Sequence, residues 1–275
     1  QMLNCVLICN GEIYNYKYLY GLINEHPTTQ SDCEIIIHLY RRIGIHQTLL
    51  KLDGVFAFIL LDLNTMTLYS ARDALGVRPM YLYEDSQNNL GFASEAKCLD
   101  NLFPFINTNN DISDSIYKSN ITTLTPGHFN TYSFNKYKNE WLFNSKQSFH
   151  TIGFESYPFE NLSIDDLYIK IATQLQRSVY KRCETTERPI ACLLSGGLDS
   201  SLITGLVHNY NKQNNILTPL ETYSIGLEGA TDLKYAREVA EYLGTNHTEI
   251  ITTEQEMFDV IPEVVYATET FDTTT

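Results

Sequence analysis

The 275-residue chain is 43% hydrophobic, enough for sizeable cores, and its 33 acidic against 19 basic side chains give a formal charge of −14. That balance, with a pI near 4.8, excludes a nucleic-acid binder, which needs a basic face. No apolar run reads as a membrane span or signal peptide. Six cysteines, at 5, 9, 33, 98, 183 and 192, form no CxxC pair. They read as small buried hydrophobes of a reducing compartment rather than as disulfides or zinc ligands.

In chain order, residues 5–9 (CVLIC) read as a buried strand running into Asn10-Gly11, a turn signal. Glu12 follows at a strand end, where ligand sites often lie; a plain hairpin turn is the alternative. Residues 15–24 suggest a short helix. Ser31-Asp32 caps a better one over 33–43, with Ile36, Leu39, Tyr40 and Ile43 on one face. Strands are expected at 52–61, 67–72, 80–83 and 90–94, with a polar turn at 62–65 and a loop over 72–79. This half reads as a sheet-dominated layered domain. From 101 to 161 the chain is polar and weakly patterned, apart from a turn at 124–128 and a strand at 129–134.

Ser163 then caps a long helix to 183, in which Leu167, Ile171, Leu175 and Val179 recur every fourth residue. Residues 189–194 (PIACLL) read as a strand, followed by Ser195-Gly196-Gly197-Leu198-Asp199-Ser200-Ser201 and a helix carrying Leu202, Ile203, Leu206, Val207 and Tyr210. Strands at 221–227 and 247–251 alternate with helices at 232–243 and 254–268, the order of a parallel sheet. Ligands of such sheets sit at the carboxyl ends of the strands. A glycine pair at a strand-to-helix turn lets a ligand approach the backbone, and the helix end offers free N–H groups to an anion. This makes a phosphate cradle. No Lys follows the glycines, so it is not a Walker A loop. In so acidic a chain a nucleotide is held by helix ends, backbone N–H groups and a divalent metal. The alternatives are a ligand-free glycine connection and an Asp199 that merely stabilises the first helical turn.

SGGLDSS resembles the pyrophosphate loop of the N-type ATP pyrophosphatase family. Ahead of it, NGEIYN, SDCEIIIHLY, LDGVFAFILLD, ARDALGVRPMY, GFASEAK and LTPGH resemble, in order, the glutaminase domain of glutamine-hydrolysing asparagine synthetases. YSIGLEGATDLKYAREVAEYLGTNHTEI and ATETFDTTT continue the likeness. It implies an α+β, Ntn-hydrolase-like glutaminase domain over 1–140, a linker over 141–162, and the first part of an α/β ATP pyrophosphatase domain over 163–275. Asn10 and Gly11 match the family's oxyanion hole. With them, Glu12 and Asp32 match groups that bind glutamine by its ammonium end. Leu193, Ser195, Gly196, Gly197, Asp199 and Ser200 match the ATP loop, and Ile225 matches the residue whose backbone reads adenine. Asp199 would lie near Mg2+ carried by the pyrophosphate. In the family, ATP activates aspartate as an acyl-adenylate and ammonia from glutamine attacks it. The cysteine pattern points to a cytoplasmic location, the acidity and the lack of a membrane-length run to no nucleic-acid or membrane partner, and the sequence leaves room for a homodimer.

The chain departs from the pattern at its ends. The family's nucleophile is an N-terminal Cys, whereas residue 1 is Gln, and Cys5 and Cys9 match no nucleophile. The Arg segment that grips the glutamine carboxylate and the later SGEGSDE-type motif are also missing. The expectation is a central piece with both ends removed, inactive in glutamine hydrolysis and at best weak in ATP binding. Alternatives are a catalytically dead nucleotide-binding paralogue and a β-lactam synthetase-like enzyme. The glutaminase site of the latter is idle, which would leave NGE and Asp32 unexplained.

Overall fold

The computed structural model describes residues 4–86, 88–100, 121–151, 153 and 163–270. The chain divides into two compact units, 1–157 and 158–275. The first contains β1 (Cys5–Ile13), α1 (Tyr16–Ile23), α2 (Ile35–Lys51), β2 (Gly54–Asp62), β3 (Thr67–Arg72), β4 (Tyr81–Glu84), β5 (Leu90–Ala93), α3 (Ala96–Asp100), β6 (Ile121–Thr123), β7 (His128–Asn135) and β8 (Glu140–Ser148). A five-stranded antiparallel sheet has the order β1-β2-β3-β7-β8, and a three-stranded one the order β5-β4-β6.

The apolar run of β2 is continuous because both of its faces are buried. Phe56, Phe58 and Leu60 pack with Leu19, Ile35, Ile36, Leu39 and Leu49 from the two helices. Ala57, on the opposite face, meets Met80 and Leu124 beside the smaller sheet. Leu68, Leu82 and Tyr132 extend that second contact between the sheets. The unit is therefore layered, helices on sheet on sheet, and each large apolar side chain so buried is worth about 1.5–3 kcal/mol.

Several boundaries differ from the sequence expectation, each for a local reason. Asn10-Gly11 is not a turn: β1 runs on through Ile13, with Gly11 opposite Phe56 and Ile13 opposite Gly54. A Cβ on Gly11 would lie 2.2 Å from the Val55 carbonyl oxygen, so the glycine serves close strand approach. Ser31 makes no side-chain cap, and residues Asp32–Glu34 form a single 3-10 turn before α2. The helix end expected at Ile43 is a break at Gly44 (φ 75°, ψ 168°), after which helix resumes to Lys51. Residues 140–148, largely assigned to the linker, pair with β7 as β8. The run EWLFNSKQS lacks the polar-apolar alternation of a half-buried strand, and most of it is exposed, so pairing with β7 left no sequence signal. The rest of that linker, over 154–162, lies outside the described residues.

The second unit contains α4 (Ile164–Thr185), β9 (Ala191–Leu193), α5 (Leu198–Gln213), β10 (Glu221–Leu227), α6 (Thr231–Leu243), β11 (Asn246–Thr252) and α7 (Glu254–Thr268). Its three strands are parallel in the order β11-β10-β9. Val179, Cys183, Cys192, Val207 and Leu220 form one small core, and Leu194, Ala236 and Ala240 another. Capping boxes start α4 (Ser163 with Asp166) and α7 (Thr253 with Glu256). The apolar stripe expected along α4 is buried at Val179 but 63% exposed at Ile171.

Candidate active site

In the first unit the candidate residues gather at the outer edge of β1, the end strand of its sheet among the described residues. Phe56, opposite Gly11, spends its backbone groups on the far side: its carbonyl accepts from the Asp73 N–H at 2.7 Å, and its N–H donates to the Asp73 carboxylate at 3.2 Å. In an antiparallel ladder both members of such a pair turn their backbone groups away from each other. The Gly11 N–H and carbonyl therefore face the free edge, and the carbonyl receives the Cys33 thiol at 3.7 Å. Ile13, two residues on, has the same orientation, and its N–H donates to Asp32 Oδ2 at 2.5 Å. A backbone donor and a carboxylate thus share one edge, about 7 Å apart along the strand.

Gly11 and Asp32 also line one cavity of about 450 Å³, with Cys9, Ser31 and Cys33 around it. Asn10 and Glu12 do not line it. Side chains alternate along a strand, and these two lie exposed on the other face of β1. The edge itself is where the two faces meet. Cys5 is not poised as a nucleophile. Burial, with Asp62 nearby, pushes its thiol up from the ordinary range, and a raised thiol is a poor nucleophile.

Sequence alone assigns no role to Arg72 and Asp73, which build the loop beside β2. Asp73 is 2% exposed, and its carboxylate accepts from the N–H groups of Leu75, Val77 and Arg78 as well as Phe56. The Arg72 guanidinium donates to the carbonyls of Gly76, Arg78 and Leu124. An Arg-Asp pair directly ahead of a glycine-containing loop was the available signal.

In the second unit the other candidates sit at strand ends. Leu193 closes β9 opposite Tyr223 of β10, and Ile225 lies two residues further along β10. Leu193 is 84% exposed and Ile225 63% exposed, unusual for apolar residues on parallel strands. Gly196 has φ +79°, and a Cβ there would lie 2.5 Å from the Ala236 nitrogen, so the loop packs on α6 as only glycine allows. Gly197 is the N-cap of α5 and supplies no side-chain cap, which leaves the first-turn N–H groups for another acceptor. Ser195 and Ser200 clasp the loop: their hydroxyls are 2.9 Å apart, and Ser200 Oγ donates to the Gly197 carbonyl at 3.2 Å. Asp199 is exposed in the same first turn. The structure thus brings Leu193, Ser195, Gly196, Gly197, Asp199, Ser200 and Ile225 to the carboxyl ends of neighbouring strands. Among the described residues no group of three or more His, Cys, Asp or Glu could hold a metal ion by itself, and no helix is long and apolar enough to cross a membrane.

Residues 1–141 match the family model described as glutamine amidotransferase domain, and residues 170–275 match that described as asparagine synthase. The chain is 37% identical over 283 residues to an asparagine synthetase [glutamine-hydrolyzing] of Gallus gallus and 35% identical over 284 residues to that of Bos taurus, covering 98% of this chain and 48% of each relative. It is 36% identical to asparagine synthetase [glutamine-hydrolyzing] 2 of Arabidopsis thaliana, covering 97% of this chain and 42% of the relative. The chain spans about half the length of the curated relatives it matches. Over its first half the chain belongs to the glutamine amidotransferase domain family, and an asparagine synthase domain follows it in the same polypeptide.

Proposed function

We propose that the protein containing this chain makes asparagine from aspartate, with ATP as the activating substrate and glutamine as the nitrogen donor. The observation that carries this reading is the coupling in one chain of a glutaminase-type edge, on which the Gly11 N–H and the Ile13-bound Asp32 carboxylate both lie, to a nucleotide-type loop at parallel strand ends. Gly11 N–H and the Asn10 amide would stabilise the oxyanion formed when the glutamine carboxamide is attacked. Glu12 and Asp32 would hold the glutamine ammonium. The α5 N-terminus with Ser195, Gly196, Gly197 and Ser200 would hold the ATP pyrophosphate, while the exposed apolar residues Leu193 and Ile225 would flank adenine, with the Ile225 backbone reading its edge.

Mg2+ fits this loop only as an ion carried by the phosphates. Asp199 is a single exposed carboxylate, whereas Mg2+ bound through one or two carboxylates takes its other ligands from phosphate and water. Aspartate would be activated as its acyl-adenylate, releasing pyrophosphate, and ammonia would displace AMP. All six cysteines are free, which suits a cytoplasmic protein.

The test is release of AMP and pyrophosphate from ATP by the protein expressed from the complete reading frame that includes this chain. Release should require aspartate and should rise with glutamine or ammonia. ATP cleavage to ADP and phosphate, or cleavage indifferent to aspartate, would reject the assignment.

A further inference from the structure

A buried carboxylate next to Asp32 has no part in the proposed chemistry. Glu34 is 6% exposed. Oε1 accepts from Thr28 N at 2.8 Å and Thr28 Oγ1 at 2.9 Å, and Oε2 accepts from Thr29 N at 2.6 Å and from Thr29 Oγ1. His38, one helical turn later, brings Nε2 to Glu34 Oε1 at 3.1 Å, while its Nδ1 pairs with Glu25. Arg42 ties this group to the end of α1 through the Ile23 carbonyl and Glu25. A buried charge is costly unless its acceptor sites are filled, and here they are filled by the loop that leads into Asp32.

We propose that Glu34 is a positioning residue for the amine-binding subsite. It folds residues 28–31 back onto its own carboxylate, and this sets Asp32 against the Ile13 N–H at the wall of the cavity, where its carboxylate would meet the ammonium of a free α-amino acid donor. The inference rests on the glutamine reading above and goes beyond it by naming what orients Asp32. Two rigid elements define the geometry: α2, which carries His38 and starts directly after Glu34, and β1, which carries Ile13. Thr28 and Thr29 are exposed and would otherwise leave the loop loose. The subsite would therefore favour free amino acids with an unblocked ammonium over N-acylated or peptide-linked glutamine.

The experiment uses the protein from the complete reading frame and measures glutamine-dependent turnover, with ammonia-dependent asparagine formation as the control for folding. Glu34→Gln should raise the glutamine KM about tenfold with kcat little changed, the pattern of a lost uniform binding interaction. In an Asp32→Asn background the same substitution should add less than about twofold, because its effect passes through Asp32. Equal KM values for wild type and Glu34→Gln would overturn the inference, as would a full additional effect in the Asp32→Asn background. If Glu34→Gln fails to fold, Thr29→Val, which removes one hydroxyl donor, decides. A KM rise of about threefold with ammonia-dependent turnover intact supports positioning. An unchanged KM, or parallel loss of ammonia-dependent turnover, overturns it. Absence of glutamine-dependent turnover in the wild type would instead reject the glutamine reading itself.

Discussion

Replacing Glu34 by glutamine should cost stability in a pH-dependent way. Burial pushes the Glu34 carboxyl up, but hydrogen bonds from Thr29, Thr28 and His38 outweigh it and hold the group at about 2, against an ordinary 4.5. The folded protein therefore binds this proton more weakly than the unfolded chain. Stability from Glu34 is complete above about pH 5 and is lost as pH falls through 4.5 toward 2. At about 1.36 kcal/mol per pH unit the gap corresponds to about 3 kcal/mol at neutral pH, falling to about half of that by pH 3. A domain with ordinary stability of about 5–15 kcal/mol survives this loss at pH 7. Urea denaturation of wild type and Glu34→Gln at pH 7, 5, 4 and 3 measures the difference, with glutamine mimicking a carboxyl that never ionises. A difference that stays constant from pH 7 to pH 3, or one below about 1 kcal/mol at pH 7, would refute the reasoning.

Other substitutions probe the two sites separately. Gly11→Ala forces a Cβ to within 2.2 Å of the Val55 carbonyl oxygen, and should destabilise by more than about 2 kcal/mol in chemical denaturation. An unchanged midpoint would mean that β1 and β2 do not approach as described. Gly196→Ala meets both φ +79° and a 2.5 Å contact with the Ala236 nitrogen. It should lower ATP affinity, measured by titration calorimetry, at least about tenfold. Gly205, in the middle of α5, is the contrast, because a Cβ added there would meet nothing within 4 Å. Gly205→Ala should raise stability by about 0.5–1 kcal/mol and leave ATP affinity unchanged. Asp32→Asn should raise the glutamine KM while ammonia-dependent asparagine formation stays at wild-type level.

Much of the second unit was legible because its signals are local. Ser163 with Asp166, and Thr253 with Glu256, are capping boxes readable from spacing, and both helices begin there. The SGG turn follows a short apolar run and precedes helical spacing, so its place at a strand end needed no tertiary information. The first unit hid what depends on partners far away in the chain. Asn10-Gly11 has turn chemistry, but its conformation is decided by Val55 and Phe56 across the sheet. Which way the Gly11 N–H faces follows from its register with Phe56, whose own backbone groups turn to Asp73 in a distant loop. Glu34 looks like an ordinary first-turn acid, and only the folded loop brings Thr28, Thr29 and His38 to it. The α4 stripe misleads for the converse reason: periodicity says which residues share a face, not that anything covers it.

Under the proposed function nitrogen leaves glutamine at the first unit and reaches aspartate activated at the second. Incubating the protein from the complete reading frame with amide-15N glutamine, aspartate, ATP and Mg2+ tests it most directly by mass spectrometry of the products. The expected product is asparagine carrying the label in its side-chain amide, with AMP and pyrophosphate formed in equal amounts. Labelled ammonia without asparagine, or unlabelled asparagine only, would contradict it.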